Sequence, residues 1–573
     1  MTDPKIIERA KTWLTDSYDK ETREQVSKML AEDSTELTDA FYKDLEFGTG
    51  GLRGIMGPGT NRMNKYTVGK ATQGLANYLN MAFAEETQIK VAIAYDCRIN
   101  NTFFADIVSS VLTANGIKVF LFDALRPTPE LSFAIRQLQC HSGIVITASH
   151  NPKEYNGYKV YWNDGAQIIA PHDKNIIDEV LKITDVDAVK FNADKTLITM
   201  IGEEVDNAYL SKMATYSLSP EVIRANHDMK IVYTPIHGTG VELVPKALKK
   251  FGFTNIFSVD AQNVVDGSFP TVKSPNPEEP EALKMAIEKA KEVDASLVMA
   301  TDPDSDRVGI AIKDKSDDFK LLNGNQTATL LFYYILNKEK EQLKGNEFMV
   351  KTIVTTELLK EIADSFNIEN FDVLTGFKYI AAIIREFEGR KRFLVGGEES
   401  YGYLVGDYVR DKDAVISCAM IAETAAWAQS QNKSLEDLLA EIYVQFGFYK
   451  ERLLSVVRQG KAGADEIAGW MDNYRNNPLK SINGIPVIAV FDYLNSIKTD
   501  MKTGNQTKIN LPSSNVMQFL LEDGTKITAR PSGTEPKIKY YFSVKGNLEK
   551  QEDFEKTEKE LDTKLDELVK TFR

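Results

Sequence analysis

Three short runs of residues carry groups suited to chemistry. The apolar run 143–146 ends in Thr147-Ala148-Ser149-His150-Asn151-Pro152. A serine at a strand's carboxyl end, with Pro152 stopping a helix from forming directly, stands on an exposed loop where α/β sheets bind ligands. Ser149 is therefore a candidate nucleophile, and the competing reading is a polar turn, for which Ser-His-Asn-Pro is good material. His150 adjoins it, but triad bases usually come from elsewhere in the chain and no GxSxG elbow is present, so acyl transfer is disfavoured.

The second run, Asp302-Pro303-Asp304-Ser305-Asp306-Arg307, lies between the apolar segments 297–300 and 308–312. Three carboxylates at alternate positions repel one another unless they converge on a hard divalent cation. The calcium-loop reading fails because Arg307 replaces the sixth-position glycine and Lys313 takes the twelfth position, where a bidentate acid is needed. Three ligands leave positions open for water and a phosphoryl oxygen, which suits Mg²⁺ in phosphoryl transfer; the bland alternative is a solvated acidic turn. The third run is Arg530-Pro531-Ser532-Gly533-Thr534-Glu535-Pro536-Lys537. Its guanidinium fork, hydroxyls and glycine-opened amides form a donor set for a phosphate dianion, unless it is only a hairpin loop. Weaker signals are Gly397-Glu398-Glu399-Ser400-Tyr401-Gly402, suited to polyol recognition, and Thr234-Pro235-Ile236-His237-Gly238-Thr239-Gly240, whose His237 reads best as a satisfied buried imidazole. Phe47-Gly48-Thr49-Gly50-Gly51-Leu52-Arg53-Gly54 fits neither dinucleotide nor P-loop spacing.

The elements that must position these runs follow from the apolar rhythm. The first forty-odd residues read as a helical arm; from Val91 onward short apolar runs alternate with helical stretches, and the rhythm recurs near 230–251 and 348–366. This predicts three similar α/β domains, 1–205, 206–322 and 323–446. Beyond them, 447–573 reads as an α+β domain with an antiparallel sheet over 487–491, 516–521, 526–530 and 538–544 and a charged terminal helix.

Composition narrows the class. The chain has 573 residues, 43% hydrophobic and 27% charged, so it has ample length for several cores. Its 69 basic against 83 acidic residues give a net charge of −14, which argues against nucleic acid and anionic membrane as partners. Three cysteines without CxxC spacing exclude a disulfide framework or zinc site. With no apolar leader and no long apolar span, a cytoplasmic protein is expected.

Taken together and in this order, the motifs resemble the α-D-phosphohexomutase superfamily of phosphoglucomutases and phosphomannomutases. The Tyr155-Asn156-Gly157-Tyr158-Lys159, Thr234 to Gly240 and Gly397 to Tyr403 variants are most similar to the subgroup of bacterial phosphoglucomutases and phosphopentomutase-like enzymes. The resemblance implies three α/β domains and a TBP-like domain around a central cleft. It implies Ser149 as the phosphorylated residue, Mg²⁺ held by Asp302, Asp304 and Asp306 with an oxygen on Ser149, and Lys159, Arg53, His150 and Arg307 as the catalytic candidates. Thr375, Gly376, Lys378, Glu398, Ser400 and Lys412 would serve the sugar side; Arg530, Ser532, Gly533 and Thr534 would hold the phosphate that is not reacting. A family histidine that often follows the Glu-x-Ser motif is absent, since Tyr401-Gly402-Tyr403 stands there.

The implied reaction interconverts hexose 1- and 6-phosphates, glucose first, through a hexose 1,6-bisphosphate that also serves as activator. Mannose or pentose phosphates and bisphosphate synthesis are the near alternatives, and a Mg²⁺-dependent sugar phosphatase or a non-catalytic sugar-phosphate binder the distant ones. The expected partners are small sugar phosphates, with the chain a monomer or homodimer.

Overall fold

The computed structural model describes residues 2–32, 35–48, 50–533 and 536–572. The chain forms two compact units: Met1–Leu322 with Ile384–Glu386 and Gly402–Trp427, and Asn323–Ile383 with Phe387–Tyr401 and Ala428–Arg573. Among the described residues no helix is long and apolar enough to cross a membrane.

In the first unit the N-terminal arm consists of helices Pro4–Lys11, Lys20–Glu32 and Thr35–Phe41. Trp13 stacks on Tyr18 at 4.6 Å and meets Phe41 and Tyr66 edge-on at 5.6 Å. Such offset and edge contacts favour aromatic pairs, and they pin the arm to helix Lys65–Ala82. The first sheet runs Gly51–Ile55, Tyr155–Trp162, Ser142–Ile146, Lys90–Tyr95, Lys118–Phe122, Ile198–Ile201. The last four are parallel, whereas Tyr155–Trp162 and Gly51–Ile55 add antiparallel edges. The second sheet places Leu297–Thr301 beside Ile231–Thr234 in parallel and beside Val308–Lys313 as an antiparallel hairpin. Both hairpin strands are almost wholly buried, which is why they read as unbroken apolar runs. The acidic run is the loop that joins them.

In the second unit, Glu347–Thr352 pairs in parallel with Glu369–Val373 and Arg392–Gly397. The C-terminal sheet is antiparallel in the order Phe448–Val457, Lys537–Gly546, Lys526–Pro531, Met517–Leu521, Ile485–Asp492, Ile497–Asp500, Gln506–Lys508. All four segments expected as strands are there. The long strand Phe448–Val457 and helix Gly460–Asn476 were not expected. Lys450 and Arg452 break the strand's apolar pattern because they face an acidic stripe of helix Phe554–Thr571: Lys450 lies 2.7 Å and Arg452 2.9 Å from Asp562.

A buried polar layer lies inside this unit. Lys351 is fully buried between Glu357 at 3.0 Å and Asp372 at 2.9 Å. Lys526 reaches the same Glu357 and donates to the Ile353 carbonyl at 2.9 Å, which also accepts from Gln518 at 3.0 Å. Burial works to raise the Glu357 carboxyl, but the two ammonium groups outweigh it and bring it down to about 2. Across the ladder Glu451 pairs with Ser543, and burial lifts its carboxyl to about 7.

The two acids give stability opposite pH signs. Glu357, depressed, contributes stability above its ordinary value that is lost as pH falls toward 2; Glu451, raised, contributes stability below 4.5 that is lost as pH rises through 7. Glu451→Gln should therefore melt close to wild type at the acid end of that window and higher than wild type above it. Thermal melts across the window check this, and a wild-type slope retained in the variant would contradict it.

Candidate active site

Strand Ser142–Ile146 is buried along its length and delivers Ser149 at its carboxyl end. The expectation of an exposed serine is overturned. Ser149 is only 4% exposed, because the acidic loop of the second sheet lies over it and Asp302 Oδ2 accepts from its Oγ at 2.9 Å. Its φ is +52°, a left-handed conformation uncommon for residues other than glycine. His150 Nδ1 lies 3.2 Å from Ser149 Oγ. Burial, reinforced by the charges of Arg307 and Arg53, pushes the His150 imidazole down to about 2, so it is neutral at ordinary pH.

Asp302, Asp304 and Asp306 are buried, and each offers an oxygen within 4.8 Å of the others. Asp302 Oδ1 accepts the backbone N–H groups of Asp306 and Arg307, both at 3.0 Å. Asp304 Oδ2 accepts from Lys159 at 2.7 Å and from Thr128 Oγ1 at 3.1 Å. Asp306 Oδ2 faces Lys159 at 3.4 Å and Lys412 at 3.1 Å. Burial, then repulsion from Asp304 and Asp306, raises Asp302 well above the carboxylate range. Burial opposes ionisation of Asp304 too, but Lys159 outweighs it and holds that carboxyl low. Among the described residues, the Oδ1 atoms of Asp304 and Asp306 are buried and accept no hydrogen bond. Orphaned buried acceptors are costly, and three hard oxygens arranged this way fit a hard divalent cation such as Mg²⁺.

The loop is propped from behind by residues 234–240. A Cβ on Gly238 would sit 2.5 Å from Pro303 Cα, and one on Gly240 2.1 Å from the Tyr233 hydroxyl. Between them Thr239 donates its N–H to the Pro303 carbonyl and its hydroxyl to Ser305 Oγ, both at 2.9 Å. His237 is a satisfied buried imidazole, as its sequence context implies, with Val264 O at 2.7 Å and Thr271 Oγ1 at 2.8 Å.

Several cations converge here. Lys159 lies on Tyr155–Trp162, and Arg53, on the neighbouring edge strand, donates to Asn151 Oδ1 at 3.2 Å. The glycine-rich run ends in that edge strand, Gly51–Ile55: a Cβ on Gly51 would fall 1.7 Å from the Tyr158 carbonyl oxygen. Arg307 pairs with Glu278 at 2.9 Å. Lys412, expected on the sugar side, lies in the first unit against Asp306 and 3.0 Å from Asp411, which also accepts from Tyr161 at 2.6 Å.

The second unit gathers the other candidates. Glu398 accepts the Gly376 N–H at 2.9 Å, joining the bend of Thr375 and Gly376, which leads into helix Phe377–Phe387 with Lys378 in its first turn, to the turn of Glu398 and Ser400. Glu399 Oε2 accepts from Thr352 at 3.0 Å and Thr355 at 3.2 Å. Burial first, then the charges of Glu399 and Glu398, push the Tyr541 hydroxyl up to about 12 against the opposing Arg530, so Arg530 shares this neighbourhood. Ser532 closes its hairpin by donating its N–H to Lys537 O at 2.7 Å, and a Cβ on Gly533 would meet nothing within 4 Å among the described residues. Thr534 lies outside the described residues.

Sequence reasoning missed Asp96, Arg98, Thr128, Glu278, Asp411 and Tyr161. Asp96 and Arg98 sit at the carboxyl end of strand Lys90–Tyr95, a position that itself signals a site. Tyr161 shares a strand face with Lys159 two residues earlier. Thr128, Glu278 and Asp411 reach the site only through tertiary packing.

Family models described as phosphoglucomutase/phosphomannomutase alpha/beta/alpha domains I, II and III match residues 44–187, 207–315 and 323–446. A Staphylococcus haemolyticus phosphoglucomutase is 39% identical over 509 residues, 88% of this chain and 91% of its own. One from Staphylococcus aureus strain MSSA476 is 39% identical over 543 residues, 94% and 95% of the two chains. By fold alone, the chain is similar to Paramecium parafusin, a phosphoglucomutase crystallised in an open form, with a TM-score of 0.67 at 18% identity over 89% of this chain and 91% of that one. A Burkholderia thailandensis phosphoglucomutase/phosphomannomutase family protein gives 0.63 at 19% identity over 87% and 93%.

Thr128 donates to a carboxylate that it orients, without being a candidate ligand itself. Thr128→Val should leave the fold intact and weaken divalent-cation affinity about 10- to 100-fold, the usual effect of losing an orienting partner. Calorimetric titration with Mg²⁺ or Mn²⁺ measures it; wild-type affinity would show that Asp304 needs no such support.

Proposed function

Because this chain belongs to the phosphoglucomutase/phosphomannomutase family, we propose that it is itself a phosphoglucomutase, converting glucose 1-phosphate to glucose 6-phosphate through a phosphorylated Ser149. The observation that carries this reading is the Ser149 hydroxyl, buried and 2.9 Å from a carboxylate of a three-aspartate cluster. Asp302, Asp304 and Asp306, with an oxygen on Ser149, would hold Mg²⁺, which when bound supplies charge neutralisation to a transferring phosphoryl group.

In the forward half-reaction the sugar's 6-hydroxyl attacks the phosphorus on Ser149. The new O–P bond forms as the Ser149 Oγ–P bond breaks, the bonding pair leaves on Oγ, and the proton shed by the 6-hydroxyl is balanced by the one that Oγ takes up to become a hydroxyl again. The bisphosphate then turns round, and Ser149 Oγ takes the 1-phosphate back. Lys159 is suited to stabilising charge and delivering a proton: burial would lower its ammonium, but Asp304 and Asp306 outweigh this and keep it protonated. Lys412, Arg307 and Arg53 add positive charge around the same group. In such transfers positioning and electrostatics supply most of the rate. Glu398 and Ser400 accept from and donate to sugar hydroxyls, beside Thr375, Gly376 and Lys378. Arg530, Ser532, Gly533 and Thr534 hold the distal phosphate, which the bisphosphate presents in either orientation. Glucose is preferred because the relatives at 39% identity carry that name; a coupled assay across glucose, mannose, glucosamine and ribose 1-phosphates decides among them.

Ser149→Ala should abolish mutase turnover and phosphate uptake while leaving the fold intact, since only one oxygen, shared between Asp302 and His150, is lost. Intact-mass analysis after exposure to glucose 1,6-bisphosphate checks it, and wild type that gains no phosphate at Ser149 would falsify the covalent route. Arg530→Ala should weaken sugar-phosphate binding about ten- to a hundred-fold, the worth of one charge-assisted contact. It should also raise dependence on added bisphosphate. Unchanged KM and activator dependence would reduce that loop to a hairpin turn.

A further inference from the structure

Arg98 has no part in the chemistry above, yet its fully buried side chain is spent on the serine loop. Nη2 donates to the carbonyl of Ser149 at 2.6 Å and to that of Asn151. Nη1 donates to the carbonyls of Pro152 and Tyr155, both at 2.9 Å. With those donors committed to backbone oxygens, the guanidinium is placed to hold the loop rather than to bind a phosphate. From the second sheet's side Phe269 packs its ring 5.2 Å from the guanidinium carbon. The neighbouring Gly267 runs so close that a Cβ there would lie 2.5 Å from the Cys97 carbonyl oxygen.

Asp96 completes the device. It stands 3.5 Å from Arg98 Nε, and its Oδ2 accepts from Thr147 Oγ1 at 2.6 Å. Thr147 Oγ1 in turn accepts the Ser149 N–H at 2.9 Å. Asn101 ties the Asp96 carbonyl to that of Ile146, donating to both at 3.0 Å. The N–H and the carbonyl of Ser149 are thus both held by groups hung from one buried Asp96–Arg98 pair, and Ser149 is the residue whose φ is +52°. A serine does not hold that conformation unaided.

We infer that Arg98, with Asp96 acting through Thr147, is the positioning device that aims Ser149 Oγ along the line of phosphoryl transfer. The inference rests on the phosphoserine reading proposed above. In-line transfer depends on alignment, and a displacement of about 1 Å at a reacting atom can cost on the order of 100-fold in rate. The device therefore sets the rate of transfer at Ser149 and leaves sugar-phosphate affinity alone.

The test compares wild type, Arg98→Lys and Thr147→Val. Each is mixed with glucose 1,6-bisphosphate under single-turnover conditions, and phosphate gain at Ser149 is followed by quenched intact-mass measurement, with KM for glucose 1-phosphate determined alongside. A merely structural role lowers the folded fraction and so the amplitude of labelling, not its rate constant. The expected result is a rate constant down about 100-fold in both variants, with KM within about threefold of wild type. Should Arg98→Lys fail to fold, Thr147→Val, which keeps the side chain's shape, decides alone. Wild-type rate constants in the folded variants would overturn the positioning role while leaving the phosphoserine intact. A wild-type enzyme that never gains phosphate would overturn the phosphoserine reading and this inference with it.

Discussion

Mutual repulsion among Asp302, Asp304 and Asp306, buried with their oxygens within 4.8 Å of one another, is the constraint around which the first unit is arranged. Like charges at that range in a desolvated loop do not persist without compensation. The compensation comes from far along the chain: Lys159 from the first sheet and Lys412 from the 402–427 segment. Thr128 and Ser149 also donate to the acidic loop, so the two sheets of this unit are joined where the chemistry is placed. The residues that neutralise the loop are the ones a phosphoryl group would need beside it.

The second unit solves the mirror-image problem. Two buried ammonium groups share Glu357, and the Ile353 carbonyl gathers donors from two strands of the C-terminal sheet. Glu399 rests on Thr352 and Thr355, flanking that carbonyl, while Arg530 lies on the strand that begins with Lys526. The polyol-suited turn and the phosphate-suited loop therefore hang from one polar layer.

The sequence made the site more legible than its supports. Ser149, the three aspartates and Arg530 stand in local runs whose residue types and spacing are themselves chemical statements, and the apolar strands around them are nearly continuous because they are buried on both faces. Thr128 and Glu278 were illegible because a hydroxyl or a carboxylate scattered in sequence acquires meaning only through what folding sets against it. The burial of Ser149 was missed for the same reason, since its cover arrives from residues 302–306. Strand Phe448–Val457 was missed because its charges answer an acidic helix about a hundred residues later, which no local periodicity records.

The excursion of Gly402–Trp427 into the first unit has a consequence for how the protein is made. Synthesis runs from the amino end, so the acidic loop is complete and the second unit already begun at Asn323 before Asp411 and Lys412 have left the ribosome. A nascent chain that closed the loop at that stage would bury three carboxylates with one of their two lysines missing. The first unit therefore cannot reach its final electrostatic balance vectorially, domain after domain. It stays open to late correction until the chain is past Trp427, and any pause in translation between these points prolongs the interval in which the acidic loop is least protected.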